Sequence, residues 1–131
     1  MPQVLRIHRN PFTGHFIAPV VINGVKLHAI IDTGATYTIL SQGDARASRT
    51  DQSVIRTEAA VGIGGYTQVG VTRIHSLEIG GRNLGSFVVR IGKEGIPQTL
   101  LGQTEIARLG RITIDGDVMT IFPRGVEVAS R

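Results

Sequence analysis

The chain has 131 residues, 41% hydrophobic and 18% charged, a balance typical of one globular domain rather than a disordered segment. It contains no cysteine, which excludes disulfides, thiol catalysis and cysteine-based zinc sites. The net charge is +4, but the basic residues are scattered and no aromatic platform accompanies them, so nucleic-acid binding is disfavoured. No apolar run reaches the ~18 residues that span a bilayer. We expect a cytoplasmic protein, with the soluble part of a membrane-anchored or periplasmic protein as the alternative.

Short strands dominate the first part of the chain. Residues 16–22 are rich in β-branched side chains and lead into Asn23-Gly24, a two-residue hairpin signal. Residues 25–31 predict the partner strand, and residues 36–40 predict another. Ser41 then suits the N-cap of a short helical or irregular segment that ends near residue 48.

The rest of the chain continues this pattern. Residues 59–71 predict a hairpin with a glycine-rich tip, and residues 93–98 predict a loop. Gln103–Leu109 is the best helix candidate, with Gly110 as its C′ residue. Further strands are predicted at 72–79, 86–91, 99–101, 111–114 and 118–122, the last two joined around Asp115-Gly116. The pattern predicts an all-β domain with one short helix.

Asp32 follows a run of apolar residues and is itself followed by Thr33 and Gly34. A buried carboxylate is costly unless it is paired or hydrogen-bonded. One interpretation is a strand that ends at a turn, since Asp, Thr and Gly are all common turn residues. The other is that the carboxylate is held there for chemistry.

Three motifs in order resemble those of the retropepsin-like aspartic proteases, and most closely the bacterial single-domain group. They are Asp32-Thr33-Gly34-Ala35, the glycine-rich Gly62–Tyr66, and Leu100-Leu101-Gly102 before the helix. The resemblance covers roughly residues 14–122. It implies a single retropepsin-like domain over residues 1–131: a closed, barrel-like β-structure with a flap hairpin and one short C-terminal helix.

The resemblance also implies a mechanism. Asp32 would be catalytic, positioned by Thr33 and Gly34, and would share one proton with a second carboxylate while activating water. The other aspartates, at positions 44, 51, 115 and 117, lack this motif. The second carboxylate is therefore expected from a second copy in a C2 homodimer. The expected substrate is a polypeptide, with no cofactor and no metal, since the four histidines lack ligand spacing.

The substrate contacts are expected from three places. Ala35 lies beside the catalytic residue, and Ile63, Gly64, Gly65 and Tyr66 form the tip that would close as a flap over the peptide. The alternative for this tip is an ordinary hairpin. Ile96 and Pro97, in the loop before the strand at 99–101, would line a side-chain pocket.

The chain departs from the retroviral pattern in ways that bear on the dimer. Retroviral enzymes have an Arg after the glycine that corresponds to Gly102, but this chain has Gln103 there. They also have Asp residues after the motif, where this chain has Thr36 and Tyr37. Residues 4–7 and 125–128 are expected to form the intersubunit sheet of chain ends. Ala35 cannot donate a hydrogen bond to the carboxylate as the Ser of pepsin-like enzymes does, so activity is expected at less acidic pH. The main alternative function is a retropepsin-like binding or dimerisation module with little or no proteolytic activity.

Overall fold

The computed structural model describes residues 3–62 and 65–124 of the chain. Within these ranges the α-helices are α1 (Gln42–Ala47) and α2 (Gln103–Leu109), and a 3₁₀ turn covers Thr50–Ser53. The strands are β1 (Leu5–His8), β2 (Ile17–Ile22), β3 (Val25–Ile31), β4 (Ile39–Leu40), β5 (Arg56–Gly62), β6 (Gly65–Ile74), β7 (Leu77–Ile79), β8 (Arg82–Asn83), β9 (Phe87–Ile91), β10 (Thr99–Leu101), β11 (Gly110–Asp115) and β12 (Val118–Pro123). The predicted all-β class is confirmed.

The strands form two open sheets. Nine strands pair in the order β5-β6-β9-β4-β10-β3-β2-β7-β8, and a second sheet has the order β1-β12-β11. The predicted closed barrel is wrong for the described residues, because the edge strands β5 and β8 do not pair with each other. Strand β8 has only two residues and pairs only with β7, so it offers no ladder for closure.

The β2–β3 hairpin forms as the sequence predicts. Asn23 and Gly24 occupy its turn with φ angles of 50° and 80°, the left-handed values that a two-residue hairpin turn requires. The Asn23 Oδ1 accepts hydrogen bonds from the backbone N–H groups of His75 and Ser76, at 2.7 and 3.2 Å. The turn is therefore fastened to the segment between β6 and β7.

Strand β3 lies at the centre of the larger sheet. It pairs antiparallel with β2 and parallel with β10. Its last three residues, Ala29, Ile30 and Ile31, are all buried, so both faces of the sheet are covered where the strand approaches Asp32. The core continues through fully buried side chains of other strands, among them Ile22, Leu40, Ile74, Leu77, Leu101 and Ile121.

Three local predictions need correction. The strand predicted at residues 36–40 covers only Ile39–Leu40, because the preceding residues form a loop against α2. The last hairpin turns at Gly116-Asp117, one residue later than predicted. The fold has two short helices and not one, because the segment after Ser41 forms α1; Ser41 is its N-cap, as predicted, and accepts a hydrogen bond from the backbone of Asp44.

The N-terminal strand pairs within its own chain. Residues Leu5–His8 run antiparallel to β12, opposite Val118–Ile121. One edge of this segment is thus already used inside the protomer. The C-terminal segment 125–128, its predicted companion in an intersubunit sheet, lies outside the described residues. None of the helices in the described ranges has the length and apolarity needed to cross a membrane.

Candidate active site

Asp32 stands at the first position beyond β3, where the chain leaves the sheet. Its backbone N–H donates to the Leu101 carbonyl at 3.0 Å, which extends the parallel β3–β10 pairing by one residue. Its carboxylate Oδ1 accepts a hydrogen bond from the Gly34 N–H at 2.9 Å. The Ala35 N–H donates to the Asp32 carbonyl at 3.2 Å and closes the turn. The half-buried carboxylate is thereby held in one orientation beside the exposed residues Thr33 and Gly34.

Gly34 suits this turn because it has no side chain next to the carboxylate. A methyl group at its Cα would lie 3.3 Å from the Asp32 Oδ1, closer than ordinary van der Waals contact. The absence of a side chain lets the N–H approach the carboxylate, as the motif predicts.

Helix α2 supports the loop from behind. The Gln103 N–H donates to the Ala35 carbonyl at 2.8 Å, and its side-chain Nε2 donates to the Thr33 carbonyl at 2.6 Å. The Gly102 N–H donates to the Thr38 Oγ1 at 3.0 Å. The amide of Gln103 thus acts as a local brace at the position where retroviral relatives have Arg. From the sequence, Gln103 was noted only because it replaces the Arg of the retroviral pattern, and its contact with Thr33 was not predicted.

Gly102 allows the helix and the loop to approach closely. A Cβ built at Gly102 would lie 2.4 Å from the carbonyl carbon of Tyr37 and 2.5 Å from its oxygen. The backbone of Gly102 has φ −96°, which any residue adopts, so the constraint is space and not conformation. Only glycine fits here without displacing the loop.

A small pocket of about 250 Å³ surrounds Asp32. Arg9 and His15 contribute its polar side chains besides Asp32 and Thr33, and Ile114 is one of its apolar members. Arg9 lies 4.4 Å from the centroid of the Phe16 ring and pairs with Asp117, Nε to Oδ1, at 3.1 Å. The charge of Arg9 is therefore largely engaged away from the Asp32 carboxylate.

No second aspartate of the described residues lines this pocket. Asp117 is exposed and paired with Arg9, and Asp44 accepts a hydrogen bond from Thr99. Asp51 and Asp115 are exposed on the 3₁₀ turn and at the end of β11. A single protomer brings one motif carboxylate to the site.

A larger groove of about 630 Å³ lies under the β5–β6 hairpin. Its apolar lining includes Val61 and Tyr66, which are 75% and 82% exposed, and Ile96. The hairpin itself forms as predicted, paired from Arg56–Val71 to Gly62–Gly65.

Charged groups join the hairpin to the loop after Asp32. Arg90 donates from Nη2 to both carboxylate oxygens of Glu58, at 3.0 and 3.3 Å, and its guanidinium lies 4.2 Å from the centroid of the Tyr37 ring. All three residues line the groove. They were not predicted, because they are distant in the sequence and form no motif.

The predicted site residues thus fall into four groups. The catalytic candidates and Ala35 lie together in the loop after β3, and Gly65, Tyr66 and Ile96 lie in the groove. Pro97 is exposed and does not line the groove, because the loop turns Ile96 inward instead. Ile63 and Gly64 lie outside the described residues. Throughout the described part of the chain, no three His, Asp or Glu residues are grouped as metal ligands.

An Asp-Thr-Gly loop braced by a short helix, in an all-β fold with a hairpin beside it, defines a retropepsin-like aspartic protease domain. The family model of the gag-polyprotein putative aspartyl proteases matches residues 18–108, and the chain belongs to this family. The structure is similar to the crystal structure of a retropepsin-like aspartic protease from Rickettsia conorii, with a TM-score of 0.80 and 25% sequence identity. That match covers 91% of this chain and 89% of the other. A search of curated protein sequences finds no match.

Proposed function

We propose that the protein is a homodimeric aspartic endopeptidase with Asp32 of each subunit in its catalytic dyad. The observation that supports this best is the Asp32 carboxylate itself. It is oriented by the Gly34 N–H at 2.9 Å, stands on a loop braced by α2, and lies beside exposed backbone. A turn serving only to end a strand needs no such bracing.

The chemistry requires two such carboxylates. One deprotonates a water, which attacks the scissile carbonyl, while the other donates its proton to the carbonyl oxygen. Two carboxyl groups in contact cannot both ionise, so the pair shares one proton. Collapse of the tetrahedral intermediate then breaks the C–N bond as the amine takes up a proton. One protomer supplies one motif aspartate among its described residues, and a two-fold axis beside Asp32 would supply the other.

The groove fits an extended polypeptide. Val61 and Tyr66 of its lining are largely exposed to solvent, and both arms of the β5–β6 hairpin contribute residues to the lining. Asp32 does not line this groove in the single protomer. In the proposed dimer each subunit contributes one such groove, and the substrate runs from one to the other past the dyad. The hairpin would act as the flap that excludes water during the reaction.

The first experiment compares wild type, Asp32→Asn and Asp51→Asn. An unfolded protein is offered as substrate from acid to neutral pH, and self-cleavage and oligomeric mass are recorded alongside. We expect cleavage by wild type and Asp51→Asn, which loses an exposed carboxylate on the 3₁₀ turn, and none by Asp32→Asn. Activity that survives Asp32→Asn would contradict the assignment. A dimeric wild type that cleaves nothing would instead indicate a binding module.

Mixing tests whether the dyad is shared between subunits. Equal amounts of wild type and Asp32→Asn are allowed to exchange subunits before the assay. With random pairing, the number of fully wild-type dimers falls to about half, and activity falls with it. An enzyme that works as a monomer would keep its full activity in this mixture.

A further inference from the structure

A third cavity lies at the C-terminal end of α2, apart from Asp32 and from the groove. Its volume is about 290 Å³, roughly ten times the ~30 Å³ share of one water molecule in the liquid. Of the described residues that line it, half are arginines and none is acidic. They are Arg82, Asn83, Leu84, Ala107, Arg108 and Arg124.

Each of the three guanidinium groups has one contact with the fold, although Arg108 and Arg124 are exposed residues. Arg124 donates from Nη2 to the Ala107 carbonyl at 3.2 Å, and Arg82 donates from Nη1 to the Arg124 carbonyl. Arg108 lies 4.7 Å from the centroid of the Phe87 ring. The side chains that would bind a ligand are thus partly ordered before it arrives, which reduces the entropy lost on binding.

Most of the donors in this cavity have no acceptor among the described residues. Each guanidinium has five N–H donors, and the contacts above use one of Arg82 and one of Arg124. The Nε of Arg82 is buried and has no hydrogen-bond partner in the described part of the chain. Asn83 uses its Oδ1 to accept from the Gly85 N–H, which leaves its amide N–H groups for another acceptor. A buried donor without an acceptor is costly.

Within the described residues, no ion pair balances the positive charge of the cavity. The ion pairs formed within residues 3–62 and 65–124 involve Arg9, Arg56 and Arg90, and none of the three cavity arginines. Within the same residues, Glu78 on β7 and Glu105 on α2 form no ion pair with these arginines. The Ala107 carbonyl at the end of α2 supplies partial negative charge, but only to Arg124.

We propose that this cavity binds a phosphate-type oxyanion, either inorganic phosphate or a phosphomonoester. Planar guanidinium groups match the paired oxygens of phosphate, and charge-assisted hydrogen bonds of this kind are the strong ones. The volume leaves space beside the phosphate for part of an organic group. The proposal is independent of proteolysis, because no lining residue belongs to the Asp32 loop or to the groove.

Calorimetric titration with sodium phosphate and with glycerol phosphate tests this, using the Asp32→Asn protein to prevent self-cleavage. Sodium chloride at equal ionic strength is the blank. We expect saturable binding of one anion per chain and a thermal unfolding midpoint that rises with phosphate concentration. Tighter binding of one anion would identify the source of the phosphate group. Arg108→Gln and Arg124→Gln should each weaken binding about tenfold, the cost of one charged hydrogen bond.

Arg46→Gln is the matched control, since it removes the same charge from an exposed position on α1. It should leave the affinity within about twofold. The side chain of Arg108 makes no hydrogen bond among the described residues, so its variant should fold, which circular dichroism and the unfolding midpoint verify. Absence of saturable binding would show that these arginines only stabilise the end of α2. Equal weakening by Arg46→Gln and Arg108→Gln would show a general charge effect and overturn the site.

Discussion

Gly102→Ala should both destabilise the protein and misplace its catalytic loop. The new Cβ would lie 2.4 Å from the Tyr37 carbonyl carbon, and ordinary contact begins at 3.4 Å, so the loop must move by 3.4 − 2.4 = 1.0 Å. That shift strains the Gly102–Thr38 and Gln103–Ala35 hydrogen bonds. Overpacking costs about 1–3 kcal/mol, and two weakened hydrogen bonds add about 1–2 kcal/mol. We expect a loss of about 2–5 kcal/mol in the free energy of unfolding.

Urea denaturation at one fixed protein concentration measures this loss, in the Asp32→Asn background to exclude self-cleavage. Gly43→Ala is the matched control, because Gly43 lies in α1 with nothing within 4 Å of its added Cβ. There the same substitution should stabilise by about 0.5–1 kcal/mol. In the active background, a 1 Å misplacement should lower peptidase activity about 100-fold. A Gly102→Ala protein as stable as the parent would refute the inferred close contact.

Three further predictions follow from the contacts of the loop and of the first hairpin. Gln103→Ala removes the 2.6 Å hydrogen bond to the Thr33 carbonyl, which costs about 1 kcal/mol of transition-state stabilisation. In steady-state kinetics, kcat should therefore fall about fivefold with little change in KM, and an equal change in KM would contradict this role. Ala35→Ser would place a hydroxyl near the Asp32 carboxylate, where a donated hydrogen bond favours the ionised form. The acid limb of the pH–rate profile should therefore move to lower pH, and an unchanged limb would contradict this prediction. Asn23→Ala removes two side-chain hydrogen bonds and places an alanine at a positive φ. The free energy of unfolding, measured by urea denaturation, should therefore fall by about 2–3 kcal/mol, and a loss below about 0.5 kcal/mol would contradict the anchoring role of this turn.

The sequence predicted the elements whose signals are local. Strand β3 and helix α2 have the predicted bounds, since Gly24 and Asp32 flank the strand and Gly102 and Gly110 flank the helix. The turn at Asn23-Gly24 likewise follows from conformational preference alone. The strand predicted from Thr36 begins only at Ile39, because the Thr36 carbonyl accepts a hydrogen bond from the Thr104 N–H of α2 rather than from a neighbouring strand. A β-branched residue gives the same sequence signal whether it lies in a strand or in a loop.

The candidate site was predictable only in part. Asp32, Thr33 and Gly34 form a contiguous motif, and the loop containing Ile96 follows from its place in the chain. Glu58 and Arg90 meet because β6 pairs with both β5 and β9, and the sequence predicted the β5–β6 hairpin but not the pairing of β6 with β9. The contact of Arg90 with Tyr37 was not predicted either. The pairing of β1 with β12 was likewise missed.

The parallel pairing of β3 with β10 has a consequence for how the protein is made. Asp32 and Leu101 are 101 − 32 = 69 residues apart, yet their backbone hydrogen bond and the contacts of Gln103 complete the catalytic loop. Such distant contacts form late in folding, because a long segment must first be closed into a loop. During synthesis, a nascent chain that does not yet include Gln103 contains Asp32 but lacks the side-chain amide that supports its loop. The order of synthesis therefore delays assembly of the site until most of the fold exists.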